Sequence, residues 1–410
     1  MKCVPVGLTC VPICLALALL FAPQLTFAAS VTPDSPLGCP PSRTLTAPPS
    51  GEGKFVLAEG QQLVSERIAG PFDQPRSLGF LPDGSYLVAE RPGRMLLVAG
   101  TGEARAISGV PEVSTVGHGG LIDLAVDPGY AANGTIYFSY LVGSEQASTI
   151  RVMKAKLDER GQALSEQQVL FESTPGSRPD QIGGRIALTP DGYLFLTLGD
   201  RWLGEPAQDL TNHLGTIIRI RTDGSVPEDN PFRFRAGARP EIWSYGHRNP
   251  QGLAFDATRG ELWSDEHGPQ GGDELNLVLR GRNYGWPLIG YGTDYTGRPI
   301  GSGARVKPGL EQPVHYWAPI SVAPSGLALE PNPSQRIVWI STLAGETLLR
   351  LTFGEGCTVS EEHFLEHRLG RLRDVRIDPS GVLYVLTDGQ EGMLYRLNRP
   401  AGEGRKKTHL

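Results

Sequence analysis

The densest run of chemically capable side chains lies between Tyr245 and Pro287, which holds Arg248, Asn249, Glu266, His267, Asp273, Glu274, Asn276, Tyr284 and Trp286. They are interleaved with glycine and proline, which hold backbone shapes that other residues adopt only under strain. Between the two polar clusters, Leu253-Ala254-Phe255 and Leu262-Trp263 read as two strands around a tight turn. The polar groups therefore sit on loops at strand ends, where a rigid scaffold aims them. Ordinary surface loops are the alternative, and the variety of chemical types in one stretch argues against it. Arg371 and Arg373, two apart, share one face of a strand and suit a carboxylate or phosphate through forked hydrogen bonds. Arg248-Asn249 opens an earlier repeat at the equivalent place, which points to a shared anion. Glu266-His267-Gly268-Pro269, followed by Asp273-Glu274, contains no cysteine and suits oxygen-ligated Ca²⁺ better than zinc. No G-x-S-x-G elbow, no strand-linked G-x-G-x-x-G and no zinc spacing occurs, so a bound cofactor is expected to carry the chemistry.

The elements that position these groups form a repeat. A Leu- or Val-rich strand, an Asp- or Pro-containing turn and a second apolar strand recur from Ser77, Leu121, Arg185, Gly252, Gly326 and Asp374. Helical periodicity is nearly absent, apart from a turn near Ala207 to Leu214. Dividing roughly 330 residues among six copies gives about 55 each, enough for a four-stranded blade with one long loop. An all-β, six-bladed β-propeller follows; a sandwich or two β-domains would leave six like hairpins unexplained. Long insertions at Arg201 to Trp243 and Gly281 to Trp317 carry Trp, Tyr and His, and loops of that length are functional or disordered.

The chain of 410 residues is 40% hydrophobic and 20% charged, with 52 Gly, 34 Pro and a net charge of −6. It has no basic face for nucleic acid. Lys2 and the apolar run Val11 to Phe21 mark residues 1–29 as a signal peptide, the run being too short to span a bilayer. An uncleaved anchor is the alternative, and no membrane span is expected in the mature chain. Residues 30–54 read as a Pro-rich arm, 55–400 as the propeller and 401–410 as a C-terminal tail. After cleavage Cys39 and Cys357 remain. An oxidising compartment favours a disulfide between them, with two free thiols as the alternative.

Several motifs resemble the soluble, periplasmic quinoprotein sugar dehydrogenases of the glucose/sorbosone type. They include GHGGLIDLAVDP from Gly117, GGRIALTPDGYLFLTLGD from Gly183, EIWSYGHRNPQGLAF from Glu241, EHGPQGGDELN from Glu266, NYGWP from Asn283 and RLRDV from Arg371. The resemblance implies a periplasmic or secreted, pyrroloquinoline quinone (PQQ)- and Ca²⁺-dependent enzyme that oxidises aldoses at C1 and passes electrons to a further acceptor. It implies that Arg248, Asn249, Arg371 and Arg373 hold the quinone and that the Gly268 and Pro269 carbonyls ligate Ca²⁺, with His267 lining that site. Tyr316 and Trp317 fall near a ring-stacking position. Glu274, Tyr284, Gly290, Asp294 and Glu311 match a second, structural Ca²⁺ site. In such enzymes a histidine takes the hydroxyl proton while hydride passes to the quinone. Here that position, after Asp180, is Gln181, which has no basic lone pair near neutral pH. Ala344 stands where a quinone-contacting lysine is usual. His118, where glutamine is common, is the candidate replacement base. Two further readings stand beside the enzyme: a propeller of the same family that binds PQQ or sugar without turnover, and a Ca²⁺ hydrolase of the lactonase kind, which the motifs disfavour.

Overall fold

The computed structural model describes residues 42–44, 63–354 and 359–398. The expected signal peptide, most of the expected arm, the tail and both Cys39 and Cys357 lie outside the described residues. What is described is almost entirely β-structure, arranged as six sheets.

Each of the six repeated hairpins forms the two inner strands of one sheet. Their inner strands are Pro75–Phe80, Leu121–Val126, Gly183–Leu188, Pro250–Asp256, Pro324–Leu329 and Leu372–Ile377, in blades one to six. Each inner strand packs against the next, and the sixth against the first, so the sheets close into a ring. The hairpin turns explain themselves locally. Asp83, Asp127, Asp256, Asn332 and Asp378 each accept a hydrogen bond from the amide two residues on. Such Asx turns reverse the chain without another element's help.

The ring is closed by a strand that comes first in the chain. Val64–Phe72 pairs antiparallel with Gly392–Asn398 and becomes the outer strand of the sixth blade. The arm also contributes: Ser42–Thr44 runs parallel to His315–Trp317 at the edge of the fourth blade. The expected insertion from Arg201 to Trp243 is divided, because Thr216–Arg221 inside it is the third strand of its blade. The helical turn expected near Ala207 is a short 3₁₀ segment, Glu205–Gln208.

Apolar side chains pack between blades. Leu87, Leu121 and Phe138 join blades one and two; Ile150, Ile186 and Leu196 join two and three. Trp263, Leu327 and Val338 join four and five, and Val88, Leu386 and Leu394 join six and one. With the core distributed this way, the centre of the ring is left to side chains from the inner strands.

Candidate active site at one mouth of the channel

All six inner strands lose register with their partners at the entry. The breaks fall at Pro75/Ser77, Leu121/Asp123, Gly183/Ile186, Pro250/Gly252, Pro324/Gly326 and Leu372/Asp374. A bulge leaves a residue unpaired and re-aims its side chain. The skipped residues are Arg76, Ile122, Gly184-Arg185, Gln251, Ser325 and Arg373. Of these, Arg76, Ile122, Arg185, Gln251 and Arg373 line one cavity of about 320 Å³. His118, Asn249, His267 and Arg371 complete its polar wall. Residues predicted from three distant parts of the chain thus meet in one place.

Arg185 forms the floor. From the third blade it reaches all five others: the carbonyls of Gln251 (2.6 Å), Ser325 (2.6 Å), Arg76 (3.2 Å) and Arg373 (3.2 Å), and Asp123 Oδ1 at 3.3 Å. Asp374 Oδ1 lies 3.5 Å away. Beneath it, Arg376 donates to Asp123 Oδ1 and Asp374 Oδ2, at 2.8 and 2.9 Å. Two arginines therefore share two aspartates, which makes burying them tolerable. Asp265 lies nearby with both carboxyl oxygens buried and, among the described residues, without a hydrogen-bond partner. Burial pushes it up to about 8, against the pull of Arg185. Position 252 must be glycine, because a Cβ there would lie 2.2 Å from Asp265 Oδ2.

Above the floor, Arg371 and Arg373 meet on one carboxylate. Arg371 Nε donates to Asp388 Oδ2 at 3.0 Å, and Arg373 Nε and Nη2 donate to Oδ1 at 2.9 and 2.8 Å. Burial raises Asp388, but the two guanidinium groups outweigh it and hold the carboxyl below its usual range. Asn249 is buried, and its Oδ1 accepts from Gln251 Nε2 at 3.0 Å. His267 donates through Nε2 to the Pro324 carbonyl at 2.7 Å. Burial, with Arg248 and Arg373 nearby, pushes this imidazole down to about 3 despite that carbonyl. The cavity carries three guanidinium groups besides its floor against one shared carboxylate. That donor set fits a polycarboxylate such as PQQ.

His118 and Gln181 are neighbours, as expected from adjacent blades, but their side chains do different things. The Gln181 backbone amide donates to His118 Nδ1 at 3.2 Å, and His118 Nε2 lies 3.7 Å from Asp180 Oδ1. A neutral His118 with Nδ1 so occupied carries its proton on Nε2. Burial lowers its pKa, Asp180 opposes, and Arg76 and Arg373 reinforce the lowering. Gln181 is turned away and buried. Its amide nitrogen donates to Asp200 Oδ1 at 2.6 Å, while its oxygen accepts from Trp202 Nε1 and Arg248 Nη2 at 2.8 and 2.7 Å. Its backbone holds a φ of 46°, a left-handed conformation that this network must stabilise.

Arg248 lies one layer out from the cavity. It donates to the carbonyls of His267 and Gly268 at 2.9 and 2.8 Å and sits 5.3 Å from the Trp286 ring centroid. The Gly268 carbonyl, expected to face Ca²⁺ with that of Pro269, thus already serves a cation. A second pocket beside it is lined by Glu266, Glu274, Tyr284 and Gly290. Burial and the neighbouring Glu266 push Glu274 well above the usual carboxylate range. Two other residues of the expected structural Ca²⁺ set are not in this lining. Asp294 caps an exposed turn through Thr296 and Arg298, and Glu311 pairs with Arg282 at 3.3 Å. Among the described residues, no three acidic, His or Cys side chains converge to hold a metal ion.

Trp317 is not at the cavity. It is fully buried between blades four and five, its Nε1 bonded to Glu361 Oε2 at 3.1 Å, so it cannot stack on a ligand. The exposed aromatics near the site are instead Trp202 and Tyr295, stacked at 5.2 Å with 10° between planes. They come from the two long insertions, whose Trp and Tyr content was the only sequence signal for them. Arg76, Arg185 and Gln251 were also missed. Their signal was repeat position, since Arg76 and Gln251 stand in their blades where Arg373 stands in the sixth.

Comparison with known proteins agrees with this fold. Residues 72–396 match the glucose/sorbosone dehydrogenase family model. The chain is 37% identical over 342 residues to the aldose sugar dehydrogenase YliI of Escherichia coli, covering 81% of this chain and 92% of that one. A crystal structure of a glucose dehydrogenase superposes with a TM-score of 0.76 at 39% identity, covering 82% of this chain and 99% of that one. The PQQ-bound aldose sugar dehydrogenase of Streptomyces coelicolor superposes with a TM-score of 0.70 at 30% identity, covering 84% and 99% of the two chains. The six-bladed protein with its cationic channel mouth belongs to the glucose/sorbosone dehydrogenase family.

Proposed function

We propose that the protein oxidises aldose sugars at C1 to lactones, with PQQ held in the cationic cavity, after export to the periplasm or beyond the cell. The reading is carried by one observation: Arg371 and Arg373 share Asp388 at the wall of a cavity that also holds Asn249 and His118. PQQ, when bound, supplies the acceptor for the hydride leaving C1. The chain's own part is to hold the anion, to orient the sugar and to take the hydroxyl proton. Arg371, Arg373 and Asn249 do the first.

Gln181 does not serve as the base, because its amide is neutral and both ends are bonded elsewhere. His118 and Asp180 are the remaining pair. With its proton on Nε2, His118 donates to a sugar oxygen. It accepts a proton only by giving up the Gln181 amide at Nδ1, or after Nε2 passes its own proton to Asp180. Calcium enters this reading through the family resemblance. An ion on the Gly268 and Pro269 carbonyls would share the Gly268 oxygen with Arg248, which already donates to it.

The test is reconstitution of the purified protein with PQQ and Ca²⁺, followed by dye reduction with a panel of aldoses. Turnover is expected, and His118→Ala should lower it about 10²- to 10⁴-fold. Unchanged turnover in that variant excludes His118 as the base. A second reading is favoured by Gln181 and Ala344, the two departures from the family pattern. In that case the cavity binds PQQ and shifts its absorbance, but no aldose is oxidised.

A further inference from the structure

Arg76 is the one guanidinium in the cavity wall that belongs to no predicted motif. It occupies in the first blade the bulge position that Arg373 occupies in the sixth, and these two blades adjoin. Both side chains line the same cavity. Their electrostatic situations differ. Arg371 and Arg373 are both ion-paired with Asp388, whereas no carboxylate among the described residues forms an ion pair with Arg76. Among the described residues its side chain makes one hydrogen bond, a long one of 3.5 Å from Nη2 to the His118 carbonyl. Its backbone carbonyl is fixed by Arg185, so the Cα is held while the guanidinium is free to address a ligand. A partly buried cation that feels Asp388 only at a distance, without a direct ion pair, is costly, and an anionic ligand relieves that cost. Burial, then the charge of Arg373, holds its pKa well below the usual arginine value, which reflects the crowding of like charges at this wall.

We propose that Arg76 is a third anion-binding guanidinium of the site, taking a carboxylate of the bound ligand. The inference rests on the function proposed above for the ligand's identity but not for its charge. The carboxylate has two sources: the cofactor, or an acid group on the sugar, as in a uronate. Arg76 stands between Arg373 of the cofactor wall and His118 of the sugar side, so the chemistry is common to both.

The experiment compares wild type, Arg76→Met and Arg76→Lys. PQQ affinity is read by absorbance titration, and kcat/KM is measured with glucose and with glucuronate. Folding of the variants is checked by their melting temperature. If the cofactor is the source, Arg76→Met weakens PQQ binding about 10- to 100-fold, the weight of one charge-assisted hydrogen bond. Arg76→Lys then recovers part of it. If the sugar is the source, PQQ affinity holds and kcat/KM falls by a similar factor for glucuronate alone. Equal PQQ affinity together with an unchanged glucuronate-to-glucose ratio overturns the proposal. A wild type that fails to bind PQQ sinks the quinone reading instead. Arg76 is then tested by calorimetric titration with benzene-1,3,5-tricarboxylate, where binding unchanged by Arg76→Met overturns the inference and weakened binding supports it.

Discussion

The two mouths of the central channel are built from opposite ends of the same six strands, yet their inner-strand side chains are chemically different. At the entry ends, bulges turn Arg76, Arg373, Gln251 and Ile122 into one cavity, three side-chain types of which two are polar. At the exit ends, Phe80, Val126, Leu188, Phe255, Leu329 and Ile377 occupy equivalent repeat positions and line a wider hollow of about 940 Å³. Those six are all apolar and all partly exposed. The exit ends repeat one solution, because each has only to end a strand and pack its neighbour. The entry ends vary: blades one and six each present an arginine, blade two Ile122 and blade four Gln251, while Ser325 of blade five stays out of the lining. Between them Arg185 and Arg376, clamped by Asp123 and Asp374, divide one mouth from the other. The divider also joins the blades where no apolar core reaches.

The comparison can be broken at the divider first. Arg185→Met removes a buried cation that bonds to five other blades, and should cost about 3–5 kcal/mol in stability. Denaturant unfolding measures this; a loss under about 1 kcal/mol means the blades hold together without the centre.

The second effect is a pH dependence from Asp265. Its folded-state value, about 8, stands above the ordinary 3.8. Between those values the native state keeps a proton that the unfolded chain has released, so stability falls as pH rises across that window. Asp265→Asn should flatten the melting temperature between about pH 4 and 8 and show its largest gain at the upper end. An unchanged pH profile means Asp265 titrates normally.

The smallest effect belongs to the apolar mouth. Leu329→Ala should cost about 1 kcal/mol, less than the ~2–5 of a fully buried leucine, because the side chain is already partly exposed. It should leave the polar mouth untouched, and altered turnover in this variant would mean that the two mouths communicate.

Much of this was legible before the structure. Six hairpins were readable because each combines alternating apolar residues with an Asp or Asn turn that closes on its own backbone. The closing strand Val64–Phe72 was not, since most of its residues are exposed or partly exposed and only Ala69 and Phe72 are buried. Thr216–Arg221 was hidden by polar turns on both sides. In the site, Arg371 and Arg373 announced themselves by spacing, and Arg248, Asn249 and His267 by motif. A single arginine such as Arg76 carries no spacing signal, and its aim depends on a bulge that pairing alone reveals. Trp317 was misplaced because the family resemblance that put it near a ring-stacking position does not say which way a three-residue strand faces. Strand neighbours settle that: paired with Asp273, its ring goes into the interface between blades.

The central claim is that the polar mouth alone is the cofactor site. An equilibrium titration with PQQ, run on wild type, Arg373→Met and Leu329→Ala, tests it most directly. Arg373→Met should weaken binding by roughly 30-fold or more, as expected when a buried, hydrogen-bonded charge is truncated, and Leu329→Ala should match wild type. Equal affinity in all three proteins, or a loss confined to Leu329→Ala, would contradict the account.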